Sequence, residues 1–225
     1  RRYGAKIRTD EMAHDSALRL LMATVARTAA KHDRCIIPLL SSWDSHHIRV
    51  SVKVHRSIQA ANMLEKQLGW RVARPTSEEL QSATDAGLHP QGSEGEQPFC
   101  LLPFSHPVSR DDKRISGPLW TGPLFDQDAL ASMTVERATA LCGDDAEPAV
   151  RHWVGEAELA SVPSLIITDM LPKFCEVTGP PKIADLIEGL KAAGYKAAVA
   201  RWGAPAIRTD APWPVVLKIT EECFD

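Results

Sequence analysis

The sequence predicts a mixed α/β protein, and three local patterns carry that prediction. In HIRVSVKVH (47–55), Ile48, Val50, Val52 and Val54 alternate with Arg49, Ser51, Lys53 and His55. Period two specifies a strand with one apolar and one basic face. Leu18, Leu21, Met22, Val25 and Ala29 recur at helical spacing and form one apolar stripe. Toward the C-terminus, a helical pattern over 181–193 places Ile183, Leu186, Ile187 and Leu190 on one side, stops at Gly194, and gives way to the strand-like YKAAVARW.

The remaining elements follow in chain order. The opening RRYGAKIR carries Arg1, Arg2, Lys6 and Arg8, and Asp10 is the expected N-cap of the first helix, which ends near His32-Asp33. CIIPLL (35–40) reads as a short buried strand in which Pro38 requires an edge or a bulge. The polar SSWDSH (41–46) suits a hairpin connection to the strand at 47–55. A helix is expected from Ser57, burying Ile58, Ala61, Leu64 and Leu68 and stopping at Gly69. Residues 75–98 are acidic and rich in Gly, Ser and Pro, the composition of a surface insertion with room for a short helix. FCLLPF (99–104) has strand character.

GPLWTGPLFD (117–126) holds Gly-Pro twice. Proline fixes its own φ and restricts the residue before it, so this stretch is expected to be a rigid, mostly extended loop anchored by Trp120 and Phe125. Asp126 then caps a helix burying Leu130, Met133, Ala138 and Leu141, and a second helix lies around 147–160. A helical stretch around 164–175 breaks at TGPP, and IRTDAP leads into a last helix with Asp210 near its start.

The 225 residues are 44% hydrophobic and 24% charged, ordinary for a globular chain with a real core. A formal charge of -3 argues neither for nor against nucleic acid, so local charge is more informative. No apolar run approaches the length that spans a bilayer, and the start does not resemble a signal peptide. The five scattered cysteines suit reduced thiols and a cytoplasmic setting. The chain opens on Arg1 inside an apparent motif, so it is expected to be a portion of a longer gene product.

A self-sufficient catalytic centre is not expected. There is no Cys-x-x-Cys or His-x-x-x-His, and adjacent His46 and His47 point to opposite faces of an extended chain, so no metal site is assigned. Gly-x-Ser-x-Gly, Walker-type and Gly-x-Gly-x-x-Gly patterns are also missing. The chemical hint that remains is cationic. Arg49, Lys53 and His55, with Arg56 and the opening Arg1, Arg2, Lys6 and Arg8, either meet phosphates or form a solvated surface. The run at 164–202 reads either as a winged-helix-like unit offering Lys182, Lys196 and Arg201 to a nucleic-acid backbone or as plain packing of two helices on a strand.

Several segments, in order, resemble the tRNA guanine(26) dimethyltransferase family. The opening carries Arg2-Tyr3-Gly4, then His14-Asp15, then Leu18-Arg19, similar to that family's Arg-Tyr-Gly, His-Glu and Leu-Arg series, with aspartate where glutamate is usual. IIPLLSSWDSHHIRVSVKVHRS is similar to its Pro-Leu-Leu-Ser stretch and Arg-Val strand, GPLWTGPLFD to its doubled Gly-Pro-Leu, and AIRTDAPW (206–213) to its closing Gly-Ile-(Lys/Arg)-Thr-(Asp/Asn)-Ala-Pro element. Many members also carry paired cysteines before the Gly-Pro-Leu motif; here that region offers Cys100 and His106, and zinc is not carried over.

The resemblance implies the C-terminal part of a class I (Rossmann-like) methyltransferase domain followed by an α+β tRNA-binding domain. Residues 1–60 would supply the last helix and an antiparallel hairpin of the methyltransferase domain; residues 61–225 would form the tRNA-recognition domain, with the acidic insertion near 75–98. It implies dimethylation of the exocyclic amino group of guanine 26 in tRNA, with S-adenosyl-L-methionine bound mainly by a half that precedes these residues. No catalytic or cofactor-binding residue is assigned within the chain. The expected tRNA contacts are Arg2, Arg8, Arg49, Lys53, Arg56 and Arg208, with ion pairing an equal alternative for Arg49 and Arg208. Neither a membrane nor a protein partner is expected, and the alternative reading is a stand-alone RNA-binding or winged-helix-like module without catalysis.

Overall fold

The apolar stripe of the first helix organises the N-terminal part of the molecule. The computed structural model describes residues 3–44, 47–109, 111–201 and 205–224. Helix α1 (Ala13–Ala30) buries Leu18, Met22, Ala23 and Ala26. Strands β1 (Arg34–Asp44) and β2 (His47–Arg56) form an antiparallel hairpin, and Ile36, Val50 and Val52 join the same core as the helix. The register of β1 shifts between Pro38 and Leu40, the bulge that a proline without an N–H demands. Asp10 does not cap α1 as expected. The helix begins after Met12, and the Asp10 carboxylate accepts the Met12 N–H while also engaging Arg8 and Arg71.

The helix expected to run from Ser57 to Gly69 is much shorter. Ser57 caps α2 (Ile58–Asn62) through its hydroxyl, as its residue type predicts. A 3-10 turn, Leu64–Gln67, then leads into β3 (Leu68–Ala73), and Ile58 is exposed. Leu68 and Gly69 are drawn into the ladder with Trp120 and Leu119, so pairing overrides the local helical pattern. Gly69 is a strand glycine rather than a helix stop: a Cβ there would lie 2.0 Å from the Leu102 carbonyl oxygen.

A three-stranded antiparallel sheet has the order β4 (Phe99–Pro103), β3, β5 (Ile115–Trp120). The insertion holds α3 (Ser77–Asp85), opened by a capping box between Thr76 and Glu79. The first Gly-Pro pair lies within β5, not in a loop, because Ile115, Ser116, Leu119 and Trp120 pair with β3. Trp120, Leu124 and Phe125 are buried as anchors, and the Trp120 indole N–H donates to the Pro123 carbonyl at 2.8 Å.

Asp126 caps α4 (Gln127–Ala131) as expected. The helix that was expected to continue to Leu141 is divided, because Thr134 caps a new helix, α5 (Val135–Cys142); Leu141 is 83% exposed. Helix α6 (Glu147–Glu156) and a 3-10 turn, Ala157–Leu159, follow. The stretch expected to be helical around 164–175 is β6 (Ile166–Ile167) and a 3-10 turn, Thr168–Lys173, that contains Pro172. Helix α7 (Ile183–Ala192), β7 (Ala197–Arg201), β8 (Pro205–Thr209) and α8 (Trp213–Glu222) complete the chain. Their antiparallel sheet, β6-β8-β7, shares a core with both helices through Leu171, Leu186, Leu190, Ile207, Trp213 and Val216. The largest apolar cluster runs from Leu18 and Met22 through Trp120, Phe125 and Leu130 to Ala200 and Ala206. It therefore draws side chains from both sides of position 60.

Candidate nucleic-acid interface

Strand alternation sets the cationic surface of β2. Arg49, Ser51 and Lys53 are exposed, while Val50 and Val52 turn toward the core. No ion pair among the described residues uses Arg49, Lys53 or Arg56, so these charges face solvent rather than a carboxylate. His55 shares the parity of Arg49 and Lys53 and lies 2.9 Å from the Cys35 sulfur. Arg56 has the opposite parity, so β2 does not gather it onto the face of Arg49 and Lys53. It sits instead across from Arg34, two exposed guanidinium-bearing residues in direct register. Like charges so placed repel, and an anion placed between them would relieve that repulsion.

Arg8 belongs to a separate surface. The N-terminal segment lies along β5: the Lys6 N–H donates to the Gly117 carbonyl at 2.9 Å and the Gly117 N–H to the Lys6 carbonyl at 2.7 Å. The Arg8 N–H donates to the Ser116 hydroxyl at 2.9 Å. Its guanidinium, 44% exposed, lies 3.1 Å from Asp10. Arg2 lies outside the described residues, as do His46 and Trp202.

Arg208 is enclosed. Its Nε is 3.3 Å from Glu156, its Nη1 donates to the carbonyls of Val162 at 2.8 Å and Ser164 at 3.2 Å, and its guanidinium lies over the Phe125 ring. Of the two uses open to this residue, the structure displays the ion pair. Buried arginines not expected among the tRNA contacts complete the framework. Arg19 Nε donates to Asp15 at 2.8 Å, and its other nitrogens reach the carbonyls of Trp120 and Pro163. Burial pushes the Arg19 guanidinium below its ordinary value, while Asp15 opposes the shift. Arg71 Nη1 donates to Asp10 at 2.9 Å and Nη2 to the Ser116 hydroxyl at 3.2 Å. The i,i+4 spacing of Asp15 and Arg19 was a readable signal; Arg71 with Asp10, and Arg208 with Glu156, had none, since each pair meets only after folding.

Cys100 is buried on β4, where burial pushes its thiol well above the ordinary range, and His106 meets the Ser82 hydroxyl at 2.9 Å. Among the described residues no group of three or more His, Cys, Asp or Glu side chains is arranged to hold a metal ion.

The sequence profile of the N2,N2-dimethylguanosine tRNA methyltransferase family matches residues 1–221. The chain belongs to that family. Relatives of this N2,N2-dimethylguanosine tRNA methyltransferase family member include the tRNA (guanine(26)-N(2))-dimethyltransferase of Aeropyrum pernix, 30% identical over 92% of this chain and 48% of the relative. Those of Methanoculleus marisnigri and Schizosaccharomyces pombe are 30% and 31% identical over 97% and 95% of this chain, and 55% and 40% of the relatives. The chain thus spans about half the length of the curated relatives it matches. The structure of Trm1 from Pyrococcus horikoshii in complex with S-adenosyl-L-methionine superposes with a TM-score of 0.73 and 22% identity. That match covers 96% of this chain and 52% of the other, and it establishes a shared mixed α/β fold.

Proposed function

We propose that this family member is the C-terminal, RNA-gripping part of an S-adenosyl-L-methionine-dependent enzyme that dimethylates the exocyclic amino group of guanine 26 in tRNA. The observation that carries the reading is the ion-pair-free cationic face of Arg49 and Lys53, held on a hairpin packed against α1, in a chain of this family. Basic side chains that remain open to solvent are available to phosphates, which fix register without reading sequence. Arg8 and Arg56 add cationic points on other surfaces. Family membership favours this reading over a stand-alone module.

Residues 1–60 then act as the closing helix and hairpin of a Rossmann-like methyltransferase domain, and residues 61–225 as the α+β tRNA-recognition domain. The target guanine must leave its stack, because its amino group is sterically blocked inside a helix. S-adenosyl-L-methionine supplies the methyl groups. Its binding calls for a glycine-rich strand-to-helix turn of the dinucleotide-fold type. Among the described residues no strand-to-helix turn carries two glycines, so these residues do not fit the donor and no step is assigned through it. No helix among the described residues is long and apolar enough to cross a membrane, and we assign the protein to the cytoplasm with its tRNA substrate.

Titration of a tRNA transcript with this chain at several salt concentrations tests the proposal. Binding that weakens steeply with salt is expected, with a shallower slope for Arg49→Ala/Lys53→Ala. A chain that binds no tRNA even at low salt would remove the RNA-gripping role.

A further inference from the structure

The open end of the β1–β2 hairpin, opposite its turn, sets Arg34 across from Arg56. Residues directly opposite on antiparallel strands present their side chains to one face, with Cβ atoms about 5 Å apart. Both arginines are exposed. Two contacts bracket the pair. On one side the Ser57 N–H donates to the Asp33 carbonyl at 2.9 Å, and on the other the Cys35 sulfur lies 2.9 Å from His55 Nε2. Asp33 turns this corner with a φ of +55°, in the left-handed region that aspartate tolerates better than most residues.

Charge at this end of the hairpin is not balanced. Among the described residues neither Arg34 nor Arg56 enters an ion pair. Lys31, also exposed, enters none either, and Asp33, the carboxylate between Lys31 and Arg34 in the chain, pairs with none of the three. Like charges directly opposed across a strand pair weaken it. The free hairpin therefore carries a cost that a bound anion would offset.

We infer that Arg34 and Arg56 form one clamp for a single phosphate of the tRNA backbone. The inference rests on the tRNA reading above and adds Arg34 to the contacts. Guanidinium forks match the geometry of phosphate and carboxylate oxygens. A carboxylate is planar and one fork fills its two oxygens, whereas a tetrahedral phosphate group directs oxygens out of one plane and can be reached by two forks. Arg56 lies three residues beyond Lys53, about 10 Å along the strand, and has the opposite parity. The clamp thus grips a different phosphate from the one that Lys53 meets, and RNA bound at both places holds the hairpin from two sides.

Titration of a tRNA transcript at several salt concentrations tests the clamp with Arg34→Gln, Arg56→Gln and the double variant. Glutamine keeps most of the stem and removes the charge. Each single substitution is expected to weaken low-salt binding about tenfold. The double variant should fall short of the roughly hundredfold product of the two, because both guanidiniums act on one group. It should also lower the salt slope by about one, the share of one phosphate. A slope lowered by about two would mean two separate phosphates and would overturn the clamp. Without RNA or phosphate, both single variants should unfold in urea at the parent's midpoint or above it, since each removes a repulsion; midpoints that fall in both would mark a structural pair and overturn the inference. Inorganic phosphate, against chloride at equal ionic strength, should raise the melting temperature of the parent more than that of the double variant, and equal shifts would remove the pair as an anion site. Variants that bind tRNA like the parent would overturn the clamp and leave the tRNA reading standing. A parent chain that binds no tRNA would overturn both, and a phosphate shift that still depends on the pair would then assign it to a free phosphate ion.

Discussion

Arg19 and Arg208 close on the same backbone segment from different elements. Arg19, on α1, reaches the Pro163 carbonyl; Arg208, on β8, reaches those of Val162 and Ser164. Each brings its own carboxylate, Asp15 or Glu156. The positive charge of Arg208 helps to lower the Arg19 guanidinium, after the larger effect of burial. Two like charges therefore share one enclosed region because backbone oxygens and two carboxylates separate and satisfy them.

Removing both members of such a pair should cost less than the sum of the two single removals. Arg208→Met is expected to lower unfolding stability by about 3–5 kcal/mol, because it leaves Glu156 buried without its cation. Glu156→Gln should be comparably harmful, and the double variant less harmful than the sum of the two. Urea denaturation of all four proteins measures the coupling.

Trp120 ties β5 to the turn before α4 through packing and its hydrogen bond to Pro123. Trp120→Ala should therefore cost about 3–5 kcal/mol through the cavity it leaves. A thermal melt coinciding with that of the parent would contradict the anchoring role.

His89 provides a pH handle. Burial holds its imidazolium below the ordinary value, and a contact with Gln97 opposes this only in part. Below about pH 6.5 the unfolded chain takes up this proton more readily than the folded chain. The associated stability is thus complete above that pH and is lost as pH falls through the folded-state value. Between pH 7 and 5 the parent should lose stability more steeply than His89→Asn; identical slopes in urea titrations would refute it.

The cysteines should differ sharply in reactivity. Burial pushes the Cys100 thiol far up, so little thiolate forms at mildly alkaline pH, whereas Cys142 is exposed. In a timed iodoacetamide reaction of the folded chain read by peptide mass, Cys142 should be modified early and Cys100 last.

The sequence was most legible where a pattern was strictly local. The alternation of β2, the bulge at Pro38 and the caps at Ser57 and Asp126 are each set by a few neighbouring residues, and the structure contains them. It was least legible where a distant partner decided the outcome. Leu68 and Gly69 continue a helical pattern yet join a sheet, and the first Gly-Pro pair reads as a loop yet fills a strand. The cationic face followed from period two, while the exclusion of Arg56 from it followed from the same rule applied one residue further. Arg208 shows the opposite limit, since no local feature of IRTDAP announces a carboxylate on α6.

The hairpin of β1 and β2 carries Arg49 and Lys53 on its solvent face. Among the described residues it pairs with no further strand, and it leans on α1 through Ile36, Val50 and Val52. The spacing of its guanidinium and ammonium groups is thus inherited from the methyl and thioether contacts beneath. Shaving Met22 or Leu18 would blur the surface charge pattern without touching a charge, and an apparent loss of electrostatic affinity would then originate in oil rather than in salt.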